Sequence, residues 1–122
     1  MTATGGVRVA INGYGVIGKR VAEAVALQDD MVLAGVCDVA TDWRPRMATR
    51  KGFRLYGTSG VHVESMQRAG LTVAGTLDDL LGVADIVVDC TPKRVAARNV
   101  EMYQQRGIRF IVQGGEKHEV TG

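Results

Sequence analysis

The segment Val7-Arg8-Val9-Ala10-Ile11-Asn12-Gly13-Tyr14-Gly15-Val16-Ile17-Gly18-Lys19-Arg20 decides the fold of this chain. Its first half is an apolar run that predicts a buried strand, and the apolar stripe of residues 16–28 predicts a helix. Between them, Gly13, Gly15 and Gly18 match the Gly-x-Gly-x-x-Gly pattern of turns that hold a pyrophosphate at the N-terminus of a helix. The glycines alone also fit a strand-to-helix turn that binds nothing, so the rest of the chain has to separate the two interpretations.

Each glycine has a separate expected role in a dinucleotide-binding turn. Gly13 allows the chain to turn sharply off the strand, and Gly15 leaves the backbone open to a phosphate. Gly18 allows the helix to pack closely against the sheet. The predicted cofactor-binding residues of this turn are Gly13, Tyr14, Gly15, Val16, Ile17 and Gly18.

The composition is that of a soluble globular protein, with 46% hydrophobic and 23% charged residues. A net charge of +2 is too small to favour nucleic acid or a membrane surface as a partner. Residues 1–6 lack the basic and apolar regions of a signal peptide, and no apolar run approaches the length that spans a membrane. We therefore expect a cytoplasmic protein with one domain over residues 1–122.

Apolar runs and helical patterns alternate along the chain, which is typical of βαβ units and a parallel sheet. A short helix is expected between Thr76, as N-cap with Asp79 at the capping-box position, and Gly82. Residues 53–56 are either a small extra strand or an extended loop. The other predicted helices are residues 16–28, 43–51, 61–69 and 95–106, and the predicted strands are residues 7–12, 31–36, 71–74, 85–89 and 108–112.

Right-handed crossovers make such a sheet doubly wound, so we predict a Rossmann-type α/β domain. With the predicted strands numbered along the chain, the expected order is 3-2-1-4-5. Ligands of these sheets bind beyond the carboxyl ends of the strands, where the order reverses between strands 1 and 4. The features predicted to meet there are the Gly13 turn, Asp38, Thr91 with Pro92, and Gly114 with Gly115.

Asp38 follows the second predicted strand, 20 residues after Gly18. An acidic residue at this position accepts hydrogen bonds from the hydroxyl groups of an adenosine ribose. Its charge also repels a 2′-phosphate, so the sequence favours NAD over NADP as the cofactor. A surface Asp in a turn is the alternative interpretation.

Five cationic residues between residues 44 and 54 keep NADP open as a second cofactor. Such a run is most often the solvated face of a helix. Alternatively, it lies near the adenosine end of the site and accepts a 2′-phosphate. The five residues are Arg44, Arg46, Arg50, Lys51 and Arg54.

Neither cysteine is predicted to be catalytic. Cys90 ends the fourth predicted strand at the site, but no His can be placed beside it, and a small buried residue is the simpler interpretation. Cys37 ends the second strand and has the same expectation. Because these two strands flank the first, they lie about 9–10 Å apart, and the two cysteines are not expected to form a disulfide. We predict no catalytic residue and no metal site in this chain.

Beyond the glycine turn, longer segments are specific enough to indicate a family. They are Ile-Asn-Gly-Tyr-Gly-Val-Ile-Gly-Lys-Arg-Val-Ala at 11–22, Gln-Asp-Asp-Met at 28–31, Ala-Asp-Ile-Val-Val-Asp-Cys-Thr-Pro-Lys at 84–93 and Gln-Gly-Gly-Glu-Lys at 113–117. With these segments, residues 7–120 resemble the N-terminal, coenzyme-binding half of archaeal-type glyceraldehyde-3-phosphate dehydrogenase. The segment at 113–117 is distinctive for this resemblance.

The resemblance implies a parent enzyme that oxidises glyceraldehyde 3-phosphate with phosphate and NAD(P)⁺ to 1,3-bisphosphoglycerate, or runs the reverse. In that family a catalytic Cys, which is not Cys90, forms a thiohemiacetal; hydride passes to the nicotinamide and phosphate then releases the acyl group. Val16 and Ile17 would hold the pyrophosphate turn, and Gly114 or Gly115 would line the nicotinamide side. The full-length enzyme is expected to be a homotetramer.

The chain departs from the family pattern in two respects. The family often has Lys and Thr where this chain has Asp38 and Val39, which supports NAD over NADP. The chain also ends before the family's Ser-Cys-Asn-Thr-Thr nucleophile motif. We therefore expect a fragment without its catalytic domain that binds a dinucleotide and does not catalyse.

Two other interpretations share the Rossmann features. One is a free-standing nucleotide-binding or redox-sensing module. The other is the cofactor domain of a different oxidoreductase, such as a semialdehyde dehydrogenase or a dihydrodipicolinate reductase. Residues 113–117 argue against this second alternative.

Overall fold

Strands and helices alternate along residues 6–113, the part of the chain that the computed structural model describes. None of the helices in this part is both long and apolar enough to cross a membrane. In chain order the elements are β1 (Val7–Asn12), α1 (Val16–Ala26), β2 (Met31–Asp38), α2 (Trp43–Arg50), β3 (Leu55–Gly57), α3 (Gly60–Arg68), β4 (Gly75–Thr76), α4 (Leu77–Gly82), β5 (Ile86–Asp89), α5 (Lys93–Arg106) and β6 (Arg109–Val112).

The strands form one parallel sheet that separates two hydrophobic cores. Successive residues of a strand point to opposite faces, so Val9 and Ile11 of β1 enter one core and Ala10 enters the other. Helices α1, α2 and α3 contribute to the first core, whereas α4 and α5 contribute to the second. This three-layer arrangement confirms the predicted Rossmann-type fold and explains why β1, β2 and β5 are apolar on both faces.

The strand order is β4-β3-β2-β1-β5-β6, so the predicted order was incomplete on one side of β1. Residues 53–56 were expected to form either a small extra strand or an extended loop. The strand is β3, which begins at Leu55, extends to Gly57 and pairs with β2. The edge strand beyond it is Gly75–Thr76, and the prediction of a strand at residues 71–74 was wrong. The order still reverses between β1 and β5, as expected.

Local signals set the ends of most helices. The Asp42 side chain accepts a hydrogen bond from the N–H of Arg44 at the start of α2, as an N-cap does. Thr76 and Asp79 form the predicted capping box of α4. Gly70 and Gly107 follow α3 and α5 with φ of 89° and 77°, a left-handed conformation that glycine adopts without strain. Helix α1 ends at Ala26 rather than at residue 28, and α5 begins at Lys93 rather than at residue 95.

The sheet hydrogen bonds continue past the carboxyl ends of β1, β2 and β5. The N–H of Gly13 donates to the carbonyl of Cys37 at 2.8 Å, and the N–H of Cys90 donates to the carbonyl of Asn12 at 2.7 Å. These bonds hold the three strand ends side by side, and the site lies above them.

Candidate functional site

A cavity of about 500 Å³ opens at the carboxyl ends of β1, β2 and β5. Most of the cofactor-binding residues predicted for the described part of the chain line it, and Gly18 does not. Gly114 and Gly115 lie outside the described residues. The lining residues are Asn12, Gly13, Tyr14, Gly15, Val16, Ile17, Asp38, Val39, Arg44, Thr58, Cys90, Thr91, Pro92, Val95 and Asn99.

The three glycines of the turn are required for different physical reasons. Gly13 has a φ of +97°, and a Cβ there would lie 2.9 Å from the carbonyl carbon of Cys90. A Cβ on Gly18 would lie 1.9 Å from the carbonyl oxygen of Gly13. At Gly15, by contrast, a Cβ would meet no atom within 4 Å. Gly13 and Gly18 therefore allow the turn to fold, whereas Gly15 leaves space open beside the cavity that it lines.

The N-terminus of α1 faces this open space. Gly15 is the N-cap residue and forms no side-chain capping hydrogen bond, and the first turn of α1 contains no acidic residue. The first N–H groups of a helix have no intrahelical acceptor, and the helix dipole gives this end a partial positive charge. Val16 and Ile17, exposed by 60% and 37%, form an apolar rim. The arrangement can bind an anionic group through its backbone with apolar surface alongside.

Asp38 lies in the wall of the cavity and is only 6% exposed. Its Oδ2 accepts a hydrogen bond from the N–H of Tyr14 at 2.9 Å. Its Oδ1 accepts from the N–H groups of Val39 at 2.7 Å and Ala40 at 3.2 Å. The carboxylate therefore ties the glycine turn to the chain that leaves β2, a structural role that the sequence did not predict.

The cationic run of α2 and the following loop does not act as one group. Arg46 donates to a carbonyl at the C-terminus of α3 at 3.2 Å, and Lys51 pairs with Glu23 of α1 at 2.8 Å. Arg54 lines a second cavity at the opposite, amino ends of the strands. Arg50 is exposed to solvent. None of these four residues lines the main cavity.

Arg44 is the exception among the five cationic residues, because it lines the main cavity. One of its guanidinium nitrogens lies 3.5 Å from a carboxylate oxygen of Asp42, whose side chain is 46% exposed. The guanidinium carbon lies 5.9 Å from the centre of the Trp43 ring. The structure thus places a cation at the end of the cavity that Asp38, Val39 and Thr58 also line.

A buried polar network supports the floor of the cavity. Asp89 is fully buried at the end of β5 and accepts hydrogen bonds from the N–H and the hydroxyl group of Thr91. Its other oxygen accepts from Asn99 at 3.0 Å and from the hydroxyl of Tyr103 at 2.5 Å. The Tyr103 hydroxyl in turn accepts from the side-chain amide of Asn12 at 2.8 Å. Burial raises the pKa of Tyr103, so its proton is retained and donated to Asp89.

The sequence did not identify Asn12, Thr58, Val95 or Asn99 as lining residues. Two signals were nevertheless present. Asn12 is the last residue of β1 and so lies at the same edge as the glycine turn. Val95 and Asn99 are four residues apart on α5 and therefore share a face of that helix. Thr58 directly follows β3, and the pairing of β3 with β2 places it at the site. The local sequence did not predict this pairing.

The two cysteines are free, as predicted, and both are poorly suited to nucleophilic chemistry. Burial raises the pKa of Cys37 to about 12. Burial, together with the charge of Asp89, raises that of Cys90 to about 11. Both groups are therefore thiols at neutral pH, whereas the reactive form is the thiolate. Among residues 6–113, no group of three or more His, Cys, Asp or Glu side chains could hold a metal ion.

Residues 7–118 match the protein family described as "Dihydrodipicolinate reductase, N-terminus". The curated relatives carry a different name. Glyceraldehyde-3-phosphate dehydrogenase of Methanothermus fervidus is 54% identical over 114 residues, or 93% of this chain and 34% of the relative. The enzyme of the same name from Methanothermobacter thermautotrophicus is 52% identical over 116 residues, with 95% and 34% covered. The chain thus spans about a third of the length of these relatives, and the predicted resemblance is confirmed.

The fold is also found in a solved structure. GenD2 from gentamicin A biosynthesis, determined in complex with NAD, superposes with a TM-score of 0.66. The alignment covers 92% of this chain and 28% of GenD2, with 22% sequence identity, so the likeness concerns the fold alone. The chain belongs to the family described as dihydrodipicolinate reductase, N-terminus, and nearly all of it corresponds to a third of the archaeal glyceraldehyde-3-phosphate dehydrogenases.

Proposed function

We propose that this chain is the NAD(P)-binding domain of a phosphorylating glyceraldehyde-3-phosphate dehydrogenase. The observation that carries the proposal is the open space at Gly15, beside a cavity of about 500 Å³ and the uncapped N-terminus of α1. Backbone N–H groups in this position suit a pyrophosphate. The identity of 48–54% to curated dehydrogenases of this name supports the assignment to that enzyme.

The proposed roles of the site residues follow the three strand ends. The segment from Gly13 to Gly18 holds the pyrophosphate, with Gly18 supporting the turn from behind. Asp38 lies at the adenosine end, and Thr91 with Pro92 lies below the remaining half of the dinucleotide. Gly114 and Gly115 are assigned to the nicotinamide side from the family resemblance alone. NAD is the expected cofactor, and NADP is the second candidate.

In the whole enzyme, the bound nicotinamide would accept a hydride from glyceraldehyde 3-phosphate as phosphate enters and 1,3-bisphosphoglycerate forms. Within residues 6–113, the backbone of the glycine turn and the residues that line the cavity bind and orient the dinucleotide, and no side chain of this part attacks the substrate. Cys90 lines the cavity, but its raised pKa of about 11 keeps it protonated. We expect this chain alone to bind dinucleotide without dehydrogenase activity, and the whole enzyme to be a cytoplasmic homotetramer.

Gly15→Ala tests the site with little disturbance of the fold, because the added methyl meets no atom of the chain within 4 Å. The methyl would occupy the space assigned to the pyrophosphate and weaken contacts between backbone N–H groups and a charged ligand. We expect calorimetric titration to show NAD⁺ affinity reduced about tenfold or more. Circular dichroism should show an unchanged helix content.

Gly60→Ala is the matched control, since a Cβ there also meets no atom within 4 Å and Gly60 does not line the cavity. This variant should bind NAD⁺ as the unmodified chain does. Equal NAD⁺ affinity in the Gly15 variant and the unmodified chain would contradict the assignment of the turn. Dehydrogenase activity in the 122-residue chain would contradict the proposal that this chain binds the dinucleotide and does not catalyse.

The family description favours a second candidate, the nucleotide-binding domain of a dihydrodipicolinate reductase. The gene beyond codon 122 distinguishes the two. A downstream Ser-Cys-Asn-Thr-Thr motif supports the dehydrogenase, and its absence from the reading frame supports the reductase. A free-standing nucleotide-binding or redox-sensing module shares the Rossmann features of the site, and the same reading frame separates it from the dehydrogenase. The raised pKa values of Cys37, about 12, and Cys90, about 11, argue only against a sensor that works through these thiols.

A further inference from the structure

Two groups of opposite charge lie at one end of the cavity. This end, which we call the β2 end, is lined by Asp38, Val39, Arg44 and Thr58. Under the proposed function it receives the adenosine ribose, so its charges decide between a free 2′-hydroxyl group and a 2′-phosphate. The sequence favoured Asp38 as the residue that makes this choice and left the five cationic residues at 44–54 as the alternative.

Asp38 is already engaged with the protein backbone. It accepts three N–H groups, from Tyr14, Val39 and Ala40, at 2.7 to 3.2 Å, and is 6% exposed. Hydrogen bonds from backbone dipoles offset part of the negative charge of a carboxylate. The repulsion that Asp38 exerts on a 2′-phosphate is therefore weaker than that of a free carboxylate in the same place.

Arg44, unlike Asp38, makes its side-chain contacts with exposed groups. Its partners are Asp42, at 3.5 Å and 46% exposed, and the face of Trp43, itself 48% exposed. Exposed ion pairs of this kind contribute little because water screens them. The guanidinium can therefore exchange Asp42 for a phosphate, with which it forms a shorter and stronger charge-assisted contact.

We propose that Arg44 is the specificity-determining residue of the β2 end and pairs with the 2′-phosphate of NADP⁺, with the Thr58 hydroxyl beside it. The chain then accepts both dinucleotides, and the balance between them is set by Arg44 and its competitor Asp42. This inference rests on the proposed function, because it assumes that the ribose lies at the β2 end.

Calorimetric titration of the 122-residue chain with NAD⁺ and NADP⁺ tests the assignment through three variants. Arg44→Ala should weaken NADP⁺ binding about tenfold or more relative to NAD⁺, as expected for loss of a hydrogen bond to a charged group. Asp42→Asn releases Arg44 while keeping a good N-cap for α2, and should strengthen NADP⁺ binding by up to about fivefold. Arg50→Ala removes a cation of the same helix that does not line the cavity, and should leave the ratio of the two affinities unchanged.

The outcomes separate the two proposals. If the chain binds NAD⁺ and the ratio of affinities in Arg44→Ala equals that of the unmodified chain, the role of Arg44 is wrong and the proposed function stands. An equal loss of NADP⁺ affinity in the Arg50 and Arg44 variants also overturns it, because a general charge effect then explains the loss. If the unmodified chain binds neither nucleotide, the proposed function fails and the role of Arg44 fails with it.

Discussion

Tyr14 and Tyr103 are both fully buried, but their hydroxyl groups have opposite surroundings. The Tyr103 hydroxyl donates to Asp89 and accepts from Asn12, whereas the Tyr14 hydroxyl has no hydrogen-bond partner within the described residues. Tyr103→Phe removes the acceptor of the buried Asn12 amide and one of the two donors to an oxygen of Asp89. It should lower the free energy of unfolding by about 1–3 kcal/mol. Urea denaturation at neutral pH measures this loss.

Tyr14→Phe is the internal control, because it removes a tyrosine hydroxyl that forms no hydrogen bond within the described residues. A buried hydroxyl without a partner carries a desolvation cost, so we expect this variant to be at least as stable as the unmodified chain. A similar loss of stability in both variants would show that the Tyr14 hydroxyl has a partner as well, and would remove the physical distinction between the two.

Asp38 shows what the sequence can predict about a single residue. Its place at the end of β2 follows from the apolar run before it, and the structure agrees. Its bonds to Tyr14, Val39 and Ala40 depend on how the glycine turn packs beside β2, which no local pattern encodes. The role of Arg44 could not be predicted from the sequence either. Which of the five cationic residues lines the cavity depends on how α2 packs on the sheet.

At the scale of single elements, the capping box of α4 makes a quantitative prediction. The Thr76 hydroxyl accepts from the N–H of Asp79 at 3.3 Å, and the Asp79 carboxylate accepts from the N–H of Thr76 at 2.9 Å. Thr76→Ala removes one side of this pair and should cost about 1 kcal/mol of unfolding free energy. Thr76→Ser keeps the hydroxyl and should retain most of that stability, so equal urea midpoints for the Ala and Ser variants would contradict a capping role.

Elements with local signals were predicted well, and elements defined by pairing were not. Helix α4 has its cap in the sequence, and β1 and β5 are apolar runs long enough to indicate buried strands. The edge strand β4 has only two residues, Gly75 and Thr76, and exists because β3 pairs with it. Residues 71–74 alternate in polarity as a strand does, so the pattern favoured the wrong segment. The partner strand, not the local sequence, sets this edge.

At the scale of the whole molecule, the sheet that builds the cavity also buries both thiols. Cys37 is the penultimate residue of β2 and is fully buried in the core, and Cys90 follows β5 and lines the cavity. Neither environment exists in the unfolded chain, where a cysteine has a pKa of about 8.5. The difference between folded and unfolded thiols therefore links the stability of the entire fold to pH.

This linkage predicts a loss of stability at alkaline pH. The pKa of Cys37 is about 12 in the folded chain, so folding favours the protonated thiol. Its contribution is complete below the unfolded pKa of about 8.5 and is lost as pH rises from there towards the folded value. Between these limits the free energy of unfolding should fall by up to about 1.4 kcal/mol per pH unit from this group. Urea midpoints measured from about pH 8 to about pH 10 report the slope.

Cys37→Ala isolates the contribution of the thiol. The variant loses some packing and should be less stable than the unmodified chain at neutral pH. Its stability should nevertheless decline less steeply on the alkaline side, because the group that binds the extra proton in the folded state is gone. A parallel decline in both proteins would mean that Cys37 titrates alike in the folded and unfolded chains. That result would contradict the burial of Cys37 as the cause of its raised pKa.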